Sequence, residues 1–486
     1  MNLRPVPILR ITDKNDAAVQ KAGEYVLYWM IAARRTRRNF GLQRAIEWCV
    51  RLGRPLVVLE PLRIGYPYAS DRIHRFVLDG MRDNAEAFAR SPSVLYVPYV
   101  EPRADDGKGL LEALAKRACV VITDEFPSFF LPRMVEAAAT RLSVRLETVD
   151  SNGVIPLRAP GRVFTFAHSF RAWQRKNLDM FLASRPEEEP LAHLTGVPAA
   201  PRLPPDIRKR WPAPSAGVLG GDVSGLAIDH AVAPVAFAGG ARAAATRVRE
   251  FVAGDDAARY DEDRNHPDRG GSSGLSPWLH FGHISSFDVI AAFEGANRVS
   301  RAAAFFDQLV TWREIGLIFS FHHPDDHARY SSLPDWARET LEKHRKDPRP
   351  ARYDRATLEK GETADRVWNA AQHELRATGV IHNRLRMVWG KKVLEWGASP
   401  STAFETLVQL NDRWAIDGRD PNSYSGIGWC FGRFDRPWPE RPVFGKVRAM
   451  SSVRAEKNLE LAQYLDRWTP PVQRGLFPST PVRGRR

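Results

Sequence analysis

Short apolar runs alternate with amphipathic stretches over about the first 160 residues. The runs are rich in residues that favour strands, and they cover residues 25–31, 55–59, 94–100, 119–123 and 142–148. Between them, residues 71–90 place apolar side chains on one helical face: Ile73, Phe76, Val77, Met81, Ala85 and Phe88. Strand and helix in alternation predict a parallel, Rossmann-like sheet with crossover helices, an α/β domain over residues 1–165. No GxGxxG follows the first strand, so we expect no dinucleotide there in the usual Rossmann manner.

The pattern changes after this domain. Residues 186–214 contain eight prolines and the acidic run Glu187 to Glu189, which exclude a continuous helix or a central strand. We therefore predict a Pro-rich interdomain linker over 166–235. The apolar spacing over 236–470 is helical, which predicts an all-α second domain. Residues 471–486 are rich in Pro, Gly and Arg and are predicted to form a flexible basic tail.

Length, charge and cysteine content narrow the classes of function. A chain of 486 residues exceeds one typical core, in agreement with two domains. Lys and Arg number 71 against 57 Asp and Glu, an excess of 14 positive charges that favours a polyanionic partner. Cys49, Cys119 and Cys430 lack metal-ligand spacing, so we expect reduced core cysteines and no metal site. No apolar run reaches the roughly 18 residues of a membrane helix, and the start lacks the apolar region of a signal peptide. We expect a cytoplasmic monomer, associated with the nucleoid when it is bound to DNA.

Residues 410–448 have the composition of a pocket wall rather than of a helical core. The segment combines Trp414, Trp429 and Trp438 with Asn and Asp side chains and ends in three cations. Aromatic faces suit a planar ligand, amides and carboxylates suit its polar edge, and cations suit phosphates. Its runs IDGRDPNSY (416–424) and ERPVFGKVR (440–448), with Trp429 between them, resemble the C-terminal block of class II cyclobutane pyrimidine dimer photolyases in order and spacing. The alternative is a Gly-rich surface loop with chance tryptophans.

A second block of the resemblance begins near residue 260. Small hydroxyl residues and glycines in GGSSGLSPWLHFG (270–282) come just before a predicted helix and offer N–H and O–H donors to a phosphate. The end of this run resembles the loop that photolyases and cryptochromes wrap around the FAD diphosphate. The resemblance implies cofactor contacts from Tyr260, Ser272, Ser273, Leu275 and Ser276. It places Arg264 and Asn265 at positions that face damaged DNA.

Three tryptophans of the second domain have a spacing that suits a chain of indoles. Trp368 lies in one predicted helix, while Trp389 and Trp396 lie seven residues, or two turns, apart on one face of the next. Core packing explains this spacing equally well. Class II photolyases have tryptophan at all three matching positions and use the chain to reduce FAD, so the resemblance implies an electron relay. It also implies that Met387 contacts the dimer and that Arg386 lies near the flavin.

The predicted helix from Phe305 to Phe319 carries a departure from the family. Gln308 and Trp312 are four residues apart and share a face of an α-helix. In class II photolyases this helix has an acidic residue that hydrogen-bonds the dimer, followed by Trp-Arg-Glu, with the Trp packing on the dimer. Here the position four before Trp312 holds a neutral glutamine. Arg313, the residue after Trp312, is assigned to the flavin.

The resemblance implies a photolyase/cryptochrome architecture in which an α/β domain precedes an all-α FAD-binding domain. Its expected activity is light-driven electron transfer from reduced FAD to a pyrimidine dimer in double-stranded DNA. For catalysis it assigns Gln308, Trp312, Met387, Asn411 and Trp429, with Asn411 near flavin N5. For the polar wall around the flavin it assigns Asp417, Asp420 and Asn422. For DNA binding it assigns Arg264, Asn265, Trp438, Arg441, Lys446 and Arg448.

Some alternatives stay open. The family's α/β domain often carries a deazaflavin antenna, but residues 151–153 are Ser-Asn-Gly where Ala-His-Asn is expected, so antenna binding is undecided. A cryptochrome-like photoreceptor would keep FAD and the relay without repair. A light-independent DNA-binding protein on the same scaffold is a third possibility. Trp312, Met387 and Trp429, the apolar clamp that the resemblance implies for the flipped bases, argue against the photoreceptor. The flavin motifs argue against the light-independent protein.

Overall fold

Six strands form one mixed sheet in the N-terminal part of the chain. The computed structural model describes residues 3–254 and 256–470. The strands are β1 (Ile11–Asp13), β2 (Tyr25–Trp29), β3 (Leu56–Leu62), β4 (Val94–Val100), β5 (Ala118–Glu125) and β6 (Leu146–Asp150). Their order is β1-β6-β5-β2-β3-β4, and all neighbours are parallel except β1 and β6. The predicted parallel sheet is therefore present. The three-residue antiparallel strand β1 at its edge was not predicted.

Helices cover both faces of this sheet, as crossover connections require. They are α1 (Phe40–Leu52), α2 (Asp71–Phe88), α3 (Leu110–Ala115) and α4 (Leu131–Ala139). Helix α2 matches the predicted amphipathic helix, and Phe76, Met81 and Phe88 on its apolar face are buried. Strands β2 and β5 are neighbours although β3 and β4 come between them in sequence, so the strand order reverses between them. A crevice at the carboxyl ends of the strands is the expected ligand site of such a sheet.

Residues 166–235, the predicted linker, include regular structure that packs against the rest of the molecule. A 17-residue helix, α5 (Ala167–Ala183), buries Phe170 and Phe181 in the same core as the sheet. Two short helices follow, α6 (Pro205–Arg210) and α7 (Ala216–Leu219), with a 3-10 turn at Pro190–Leu194. The prolines limit these later elements to six residues or fewer, in agreement with the sequence.

Helices make up the C-terminal part, as predicted. They are α8 (Gly240–Ala253), α9 (Tyr260–Asp263), α10 (Ser276–His280), α11 (Ser286–Gly295), α12 (Ala303–Phe306), α13 (Arg313–His322), α14 (Asp335–Lys343), α15 (Arg355–Lys360), α16 (Arg366–Thr378), α17 (Asn383–Trp396), α18 (Pro400–Trp414), α19 (Pro421–Cys430), α20 (Ser452–Leu459) and α21 (Ala462–Trp468). A π-helical turn, Asp307–Trp312, joins α12 to α13. The α-helical register predicted across this turn is therefore wrong. The predicted basic tail, 471–486, lies outside the described residues.

The two parts are joined by a buried carboxylate. Glu314 of α13 accepts hydrogen bonds from the backbone N–H of Val154 (2.7 Å) and Ile155 (3.4 Å), just beyond β6. Burial raises the pKa of Glu314 to about 7, against the opposing charge of Arg313 and the hydrogen bond from Val154. An ideal Cβ on Gly153 would lie 2.3 Å from the Glu314 carboxylate. The Ser-Asn-Gly run thus has a packing reason, because only glycine lets α13 approach this closely.

The basic run 34–38 also serves this junction. Arg35 donates hydrogen bonds to the carbonyls of Gly282 (3.0 Å) and Ser151 (3.0 Å). Arg34 pairs with buried Glu60 at 2.9 Å, and Arg38 pairs with Glu188 at 2.8 Å. These cations are neutralised within the fold. Within the described ranges, no helix is both long and apolar enough to cross a membrane.

Candidate functional site

Three segments far apart in sequence meet at the carboxylate of Asp417. The hydroxyl of Ser276, at the start of α10, donates to it at 2.7 Å. The guanidinium of Arg386, on α17, donates to its other oxygen at 3.4 Å. Asp417 itself is buried in the turn between α18 and α19. Three residues predicted to hold the cofactor are thus joined by direct contacts.

The turn that carries Asp417 is held by its own polar residues. Asp420 caps α19 by accepting from the backbone N–H of Asn422 at 2.8 Å, and its other oxygen lies 3.0 Å from the ring of His280. Burial opposes the negative charge, but the hydrogen bond and charge of His280 lower the pKa of Asp420 to about 2. Arg419 has a φ of +66° and donates its N–H to Asp412 at 3.0 Å. Asp420 is therefore a permanent anion that fixes the start of α19.

A cavity opens between α17, α18 and α19. Its lining comprises Arg386, Met387, Trp389, Gly390, Leu407, Asn411, Asn422, Ser423, Gly426, Ile427 and Cys430. Four predicted site residues and the first relay tryptophan thus face one cavity. A Cβ on Gly426 would meet no atom within 4 Å, so the missing side chain leaves that wall open. Asn411, which donates to Asp412 at 3.2 Å, and Asn422 both border the cavity.

The three relay tryptophans form one continuous stack, in an order that sequence spacing did not show. Trp368 of α16 lies between the two tryptophans of α17: its ring centroid is 6.2 Å from Trp389, nearly parallel at 6°, and 5.5 Å from Trp396, at 69°. Trp389 and Trp396 were predicted to lie along one face of their helix, and the structure shows that Trp368 connects them. All three indoles are buried. Beyond Trp396, the ring of Tyr353 lies 5.0 Å away and is only half-buried, so the chain of rings continues towards solvent.

Polar atoms without partners surround the 260–276 segment. Among the described residues, Arg264 Nε, His266 Nδ1 and His382 Nδ1 are buried and have no hydrogen-bond partner. The carbonyls of Ser272 and Ser273 are bound by Arg247, at 3.0 and 2.8 Å, which fixes the loop. Unsatisfied buried donors and acceptors of this kind indicate a polar ligand.

The other residues of this segment that were predicted to contact the cofactor or DNA are packed against the protein itself. Leu275 and the ring of Tyr260 pack in the core, where the edge of Tyr260 meets Phe305 at 5.4 Å. Asn265 is half-buried beside them. The helix after the loop, α10, has only five residues, so its dipole adds little.

The predicted lesion clamp draws on both cores. Met387 and Trp429 are half-buried at the margin of the C-terminal core, whereas Trp312 is half-buried at the margin of the other core. Behind Trp429 lies an unpredicted residue, Lys391, whose ammonium is 5.0 Å from the indole centroid. Lys391 is fully buried and, among the described residues, its ammonium has no hydrogen-bond partner. Burial lowers its pKa to about 8.

Gln308 lies in the π-helical turn and is half-buried. In the part of the chain that the structure describes, no hydrogen bond joins its side-chain amide to another residue. The neighbouring Asp307, by contrast, accepts from the Trp312 indole N–H at 3.1 Å. Its carboxylate also receives two hydrogen bonds from Arg171, at 3.0 and 2.8 Å. The acidic group bound to Trp312 is therefore Asp307, and Gln308 keeps its amide free.

The predicted DNA-binding cations lie on a tight turn after α19. Arg441 and Gly445 exchange backbone hydrogen bonds at 2.9 and 2.8 Å, and the Trp438 N–H donates to the Lys446 carbonyl at 2.8 Å. Arg441 and Lys446 are exposed, while Arg448 stacks on Trp438 at 4.7 Å. Glu440 pairs instead with Lys343 and His344, at 2.8 Å each. Over residues 3–254 and 256–470, Arg441, Lys446 and Arg448 form no ion pair.

Two residues of the predicted site do not line the cavity between α17, α18 and α19. Arg313 is buried at the junction with the N-terminal sheet, where its charge acts on Asp420 and it donates to the Leu279 carbonyl at 3.3 Å; one of its nitrogens has no hydrogen-bond partner among the described residues. Trp414 packs between the guanidinium groups of Arg376 and Arg413, at 4.9 and 5.2 Å, and its N–H is bound by Glu359. Trp414 is therefore a packing residue.

A second, apolar cleft lies at the carboxyl ends of the strands, where the strand order reverses. It is open to solvent and has about 760 Å³ of empty space, with Tyr66, Phe129, Phe130 and Met134 among its lining residues. Arg34, Arg63, His280 and Arg419 supply the polar lining. His280 and Arg419 connect it to the Asp417–Asp420 turn. Sequence alone had located no pocket here, because its residues come from five separate segments.

Comparisons with known proteins agree with this geometry. No family model matches the chain. A cryptochrome of Synechocystis sp. has a TM-score of 0.68 at 16% identity, covering 92% of this chain and 89% of that one. A Sulfolobus tokodaii photolyase, solved with two FAD molecules, has a TM-score of 0.63 at 13% identity, covering 92% and 91%. These likenesses confirm the predicted fold class.

A relative in sequence identifies the family. The deoxyribodipyrimidine photo-lyase of Methanothermobacter thermautotrophicus is 33% identical over 459 residues, which cover 94% of this chain and 97% of that protein. The match spans both the sheet and the helical part, so it includes the cavity, the tryptophan stack and the cation-bearing turn. On this evidence the chain belongs to the deoxyribodipyrimidine photolyase family.

Proposed function

We propose that this protein is an FAD-dependent enzyme that repairs cyclobutane pyrimidine dimers in double-stranded DNA under blue light. The observation that carries the proposal is the cavity between α17, α18 and α19. Arg386 lines it and donates to Asp417, which also accepts from Ser276, and the cavity borders directly on the first indole of the tryptophan stack. A polar-walled cavity at the end of a chain of oxidisable rings suits a redox-active, planar cofactor.

The residues of the cavity fit FAD. Asn411 and Asn422 supply amide groups for the polar edge of an isoalloxazine ring, Arg386 supplies a cation, and Asp417 is the carboxylate that holds Arg386. Among the described residues, the unpartnered ring nitrogens of His266 and His382 suit the phosphates and ribose. When bound, reduced FAD supplies the electron that blue light makes transferable to the dimer and receives it back after the ring has opened.

The protein's own contributions are positioning, exclusion of water and conduction of electrons. The stack of Trp389, Trp368 and Trp396 offers buried, oxidisable rings from the cavity towards Tyr353 at the surface. Trp312, Met387 and Trp429 are half-buried apolar groups suited to hold bases that have left the duplex. Gln308, with a free amide, is suited to donate a hydrogen bond to a dimer carbonyl.

The exposed turn supports DNA binding. Arg441 and Lys446 form no ion pair within the described part of the chain, and they lie on a turn that is held by its own backbone hydrogen bonds. Such cations neutralise phosphates and set the register of the duplex without selecting a sequence. For Arg264 and Asn265 we keep the role that the family resemblance implies, contact with the damaged DNA.

The apolar cleft of the sheet is our candidate for the antenna site. Side chains such as Tyr66, Phe129, Phe130 and Met134 offer flat or polarisable surfaces, and the arginines of the lining suit an anionic ring substituent. Arg419 and His280 lie within one turn of the FAD wall, so a pigment here would be close enough to pass on excitation energy. A deazaflavin is one planar chromophore of suitable chemistry.

Cofactor content tests the proposal. The purified protein is expected to show flavin absorption with about one FAD per chain, and Ser276→Ala is expected to lose FAD several times faster during gel filtration. Ser401→Ala removes a hydroxyl of α18 that bonds only Glu405, and it serves as the matched control. A folded, colourless protein that takes up no added FAD would contradict the proposal.

A further inference from the structure

The π-helical turn changes which side chains meet in the predicted lesion site. In an α-helix the neighbours are four residues apart, but in a π-helix the backbone bonds run from i to i+5. The Arg313 N–H donates to the Gln308 carbonyl in this way. The wider turn brings the Asp307 carboxylate to the Trp312 indole N–H, with Nε1 and Oδ2 3.1 Å apart. Trp312 is thus held at its edge by the residue before Gln308.

A second contact with this indole comes from outside the helical part. Arg171 lies on α5, in the segment predicted to be a linker, and its guanidinium carbon is 5.3 Å from the Trp312 ring centroid. The same guanidinium forms a two-pronged ion pair with Asp307, at 3.0 and 2.8 Å. The three side chains form a closed triangle in which each contacts the other two. Such a planar fork is geometrically more specific than a lysine contact.

The triangle occupies two surfaces of the Trp312 indole. One face is covered by Arg171, and the N–H edge is occupied by Asp307. The Arg171 and Asp307 side chains are each 35% exposed, so the triangle is at the protein surface and accessible to a large partner. A base that stacks on Trp312 therefore has only the opposite face.

We propose that Arg171 and Asp307 are positioning residues for the lesion: they hold the Trp312 indole in the plane on which a flipped pyrimidine dimer stacks. The proposal rests on the proposed function. Because an undamaged duplex has no flipped dimer to stack, the two residues raise the preference for damaged over undamaged DNA. Their role is distinct from phosphate binding, since the charge of Arg171 is already neutralised by Asp307.

A merely structural role predicts a different result. An exposed ion pair contributes little to stability, so removal of the triangle is expected to leave folding nearly unchanged. The chain offers a matched pair: Arg185, just beyond the end of α5, makes the same two-pronged contact with Glu294, at 2.6 and 2.7 Å. Arg185→Met removes an equivalent ion pair away from any tryptophan contact.

The test measures dark binding of the FAD-loaded full chain to two duplexes of one sequence, one with a single thymine dimer. Arg171→Met and Asp307→Ala are each expected to lower the ratio of affinities, damaged over undamaged, about tenfold, whereas Arg185→Met leaves it unchanged. Arg171→Lys keeps the charge without the fork and is expected to give an intermediate ratio. In a Trp312→Leu background, neither Arg171→Met nor Asp307→Ala is expected to change the ratio further.

Two results would overturn this inference but not the proposed function. In the first, Arg171→Met and Asp307→Ala both keep the affinity ratio of the parent; in the second, they lower the ratio as much in the Trp312→Leu background as in the parent. If Arg171→Met fails to fold, the Arg171→Lys ratio decides by the same criterion. A folded, FAD-loaded parent that binds both duplexes equally would instead overturn the proposed function, and this inference with it.

Discussion

Gln308 is the side chain whose substitution tests repair efficiency most directly. A carboxylic acid here could donate a proton or a strong hydrogen bond to a dimer carbonyl as negative charge develops, whereas an amide donates only a neutral N–H. Loss of a charge-assisted contact costs about 1 to 3 kcal/mol. We predict that the parent repairs dimers and that Gln308→Glu repairs more of them per absorbed photon. Gln308→Met, which cannot donate, should repair fewer. Equal yields for all three would show that this position does not matter.

Lys391 makes a prediction about stability and pH. Its pKa is about 8 in the fold against 10.5 for an unperturbed lysine, so between these values the unfolded chain binds more protons and stability rises with pH. Below pH 8 the buried charge lowers the free energy of unfolding by its full amount, which the difference between the two pKa values puts at about 3 kcal/mol. Lys391→Met should therefore stabilise the protein at pH 7, and its advantage should shrink between pH 8 and 10.5. Denaturant unfolding of both proteins checks this, and Lys392→Met is the control because Lys392 is paired with Glu395. A constant difference across pH would contradict the prediction.

Single residues also mark the limit of sequence reasoning. Asp417, Arg386 and Ser276 could be selected because each lies in a recognisable run, and the structure brings them into contact. Lys391 could not, because a lysine in an amphipathic helix is ordinarily solvated and only the packing of α17 on α19 shows that it is buried. Arg171 was missed for a different reason: the predicted linker included residues 166–185, although the prolines that define it begin only at Pro186.

The tryptophan stack formed by helices α16 and α17 leads to a prediction about the photoreduction of FAD. Trp368→Phe retains most of the volume between Trp389 and Trp396 but removes the readily oxidised indole. We predict that photoreduction of bound FAD slows by at least tenfold, while chemically reduced enzyme still repairs dimers. Trp414→Phe, at a buried tryptophan outside the stack, should photoreduce at the parent rate. Parent-like photoreduction of Trp368→Phe would show that these tryptophans only fill the core.

The turn from Trp438 to Arg448 predicts the salt dependence of binding. If Arg441 and Lys446 contact phosphates, replacing either by glutamine should lower the slope of log affinity against log salt by about one unit. Lys108→Gln, which removes an exposed lysine paired with Asp105 in the N-terminal part, should leave the slope unchanged. Binding measured at several salt concentrations distinguishes the two. An unchanged slope for Arg441→Gln would place the contact surface elsewhere.

Helices and strands were predicted correctly from the sequence where one local pattern, such as apolar spacing, was enough to specify them. Strand β4 has the predicted bounds, and α2 ends two residues before the predicted end. Strand β1 was missed because three residues carry no periodicity and are held only by pairing with β6. The π-helical turn was missed because α and π registers share the same residue types. It is accompanied here by the contacts of Trp312 with Asp307 and Arg171, which involve a distant segment.

In the whole molecule, the sheet and the helical part are one connected structure in which the first supports the site on the second. Ser128, beyond β5, donates to the Arg419 carbonyl at 2.8 Å, next to the turn that carries Asp417 and Asp420. Arg72 of α2 donates to the carbonyls of Leu375 (3.2 Å) and Arg376 (2.7 Å), at the end of α16. Alternation and helical spacing could predict two parts. They could not predict this interface, because it depends on single side chains that reach across about 300 residues of sequence.

Repair of a defined lesion tests the central claim most directly. The FAD-loaded protein is mixed with a duplex containing one cyclobutane thymine dimer, and intact thymines are quantified after blue light and after an equal time in the dark. We predict repair in the light, with many dimers restored per protein chain, and none in the dark. Light-induced reduction of FAD with no dimer restored, by either the parent or Gln308→Glu, would contradict the claim and favour a cryptochrome-like photoreceptor.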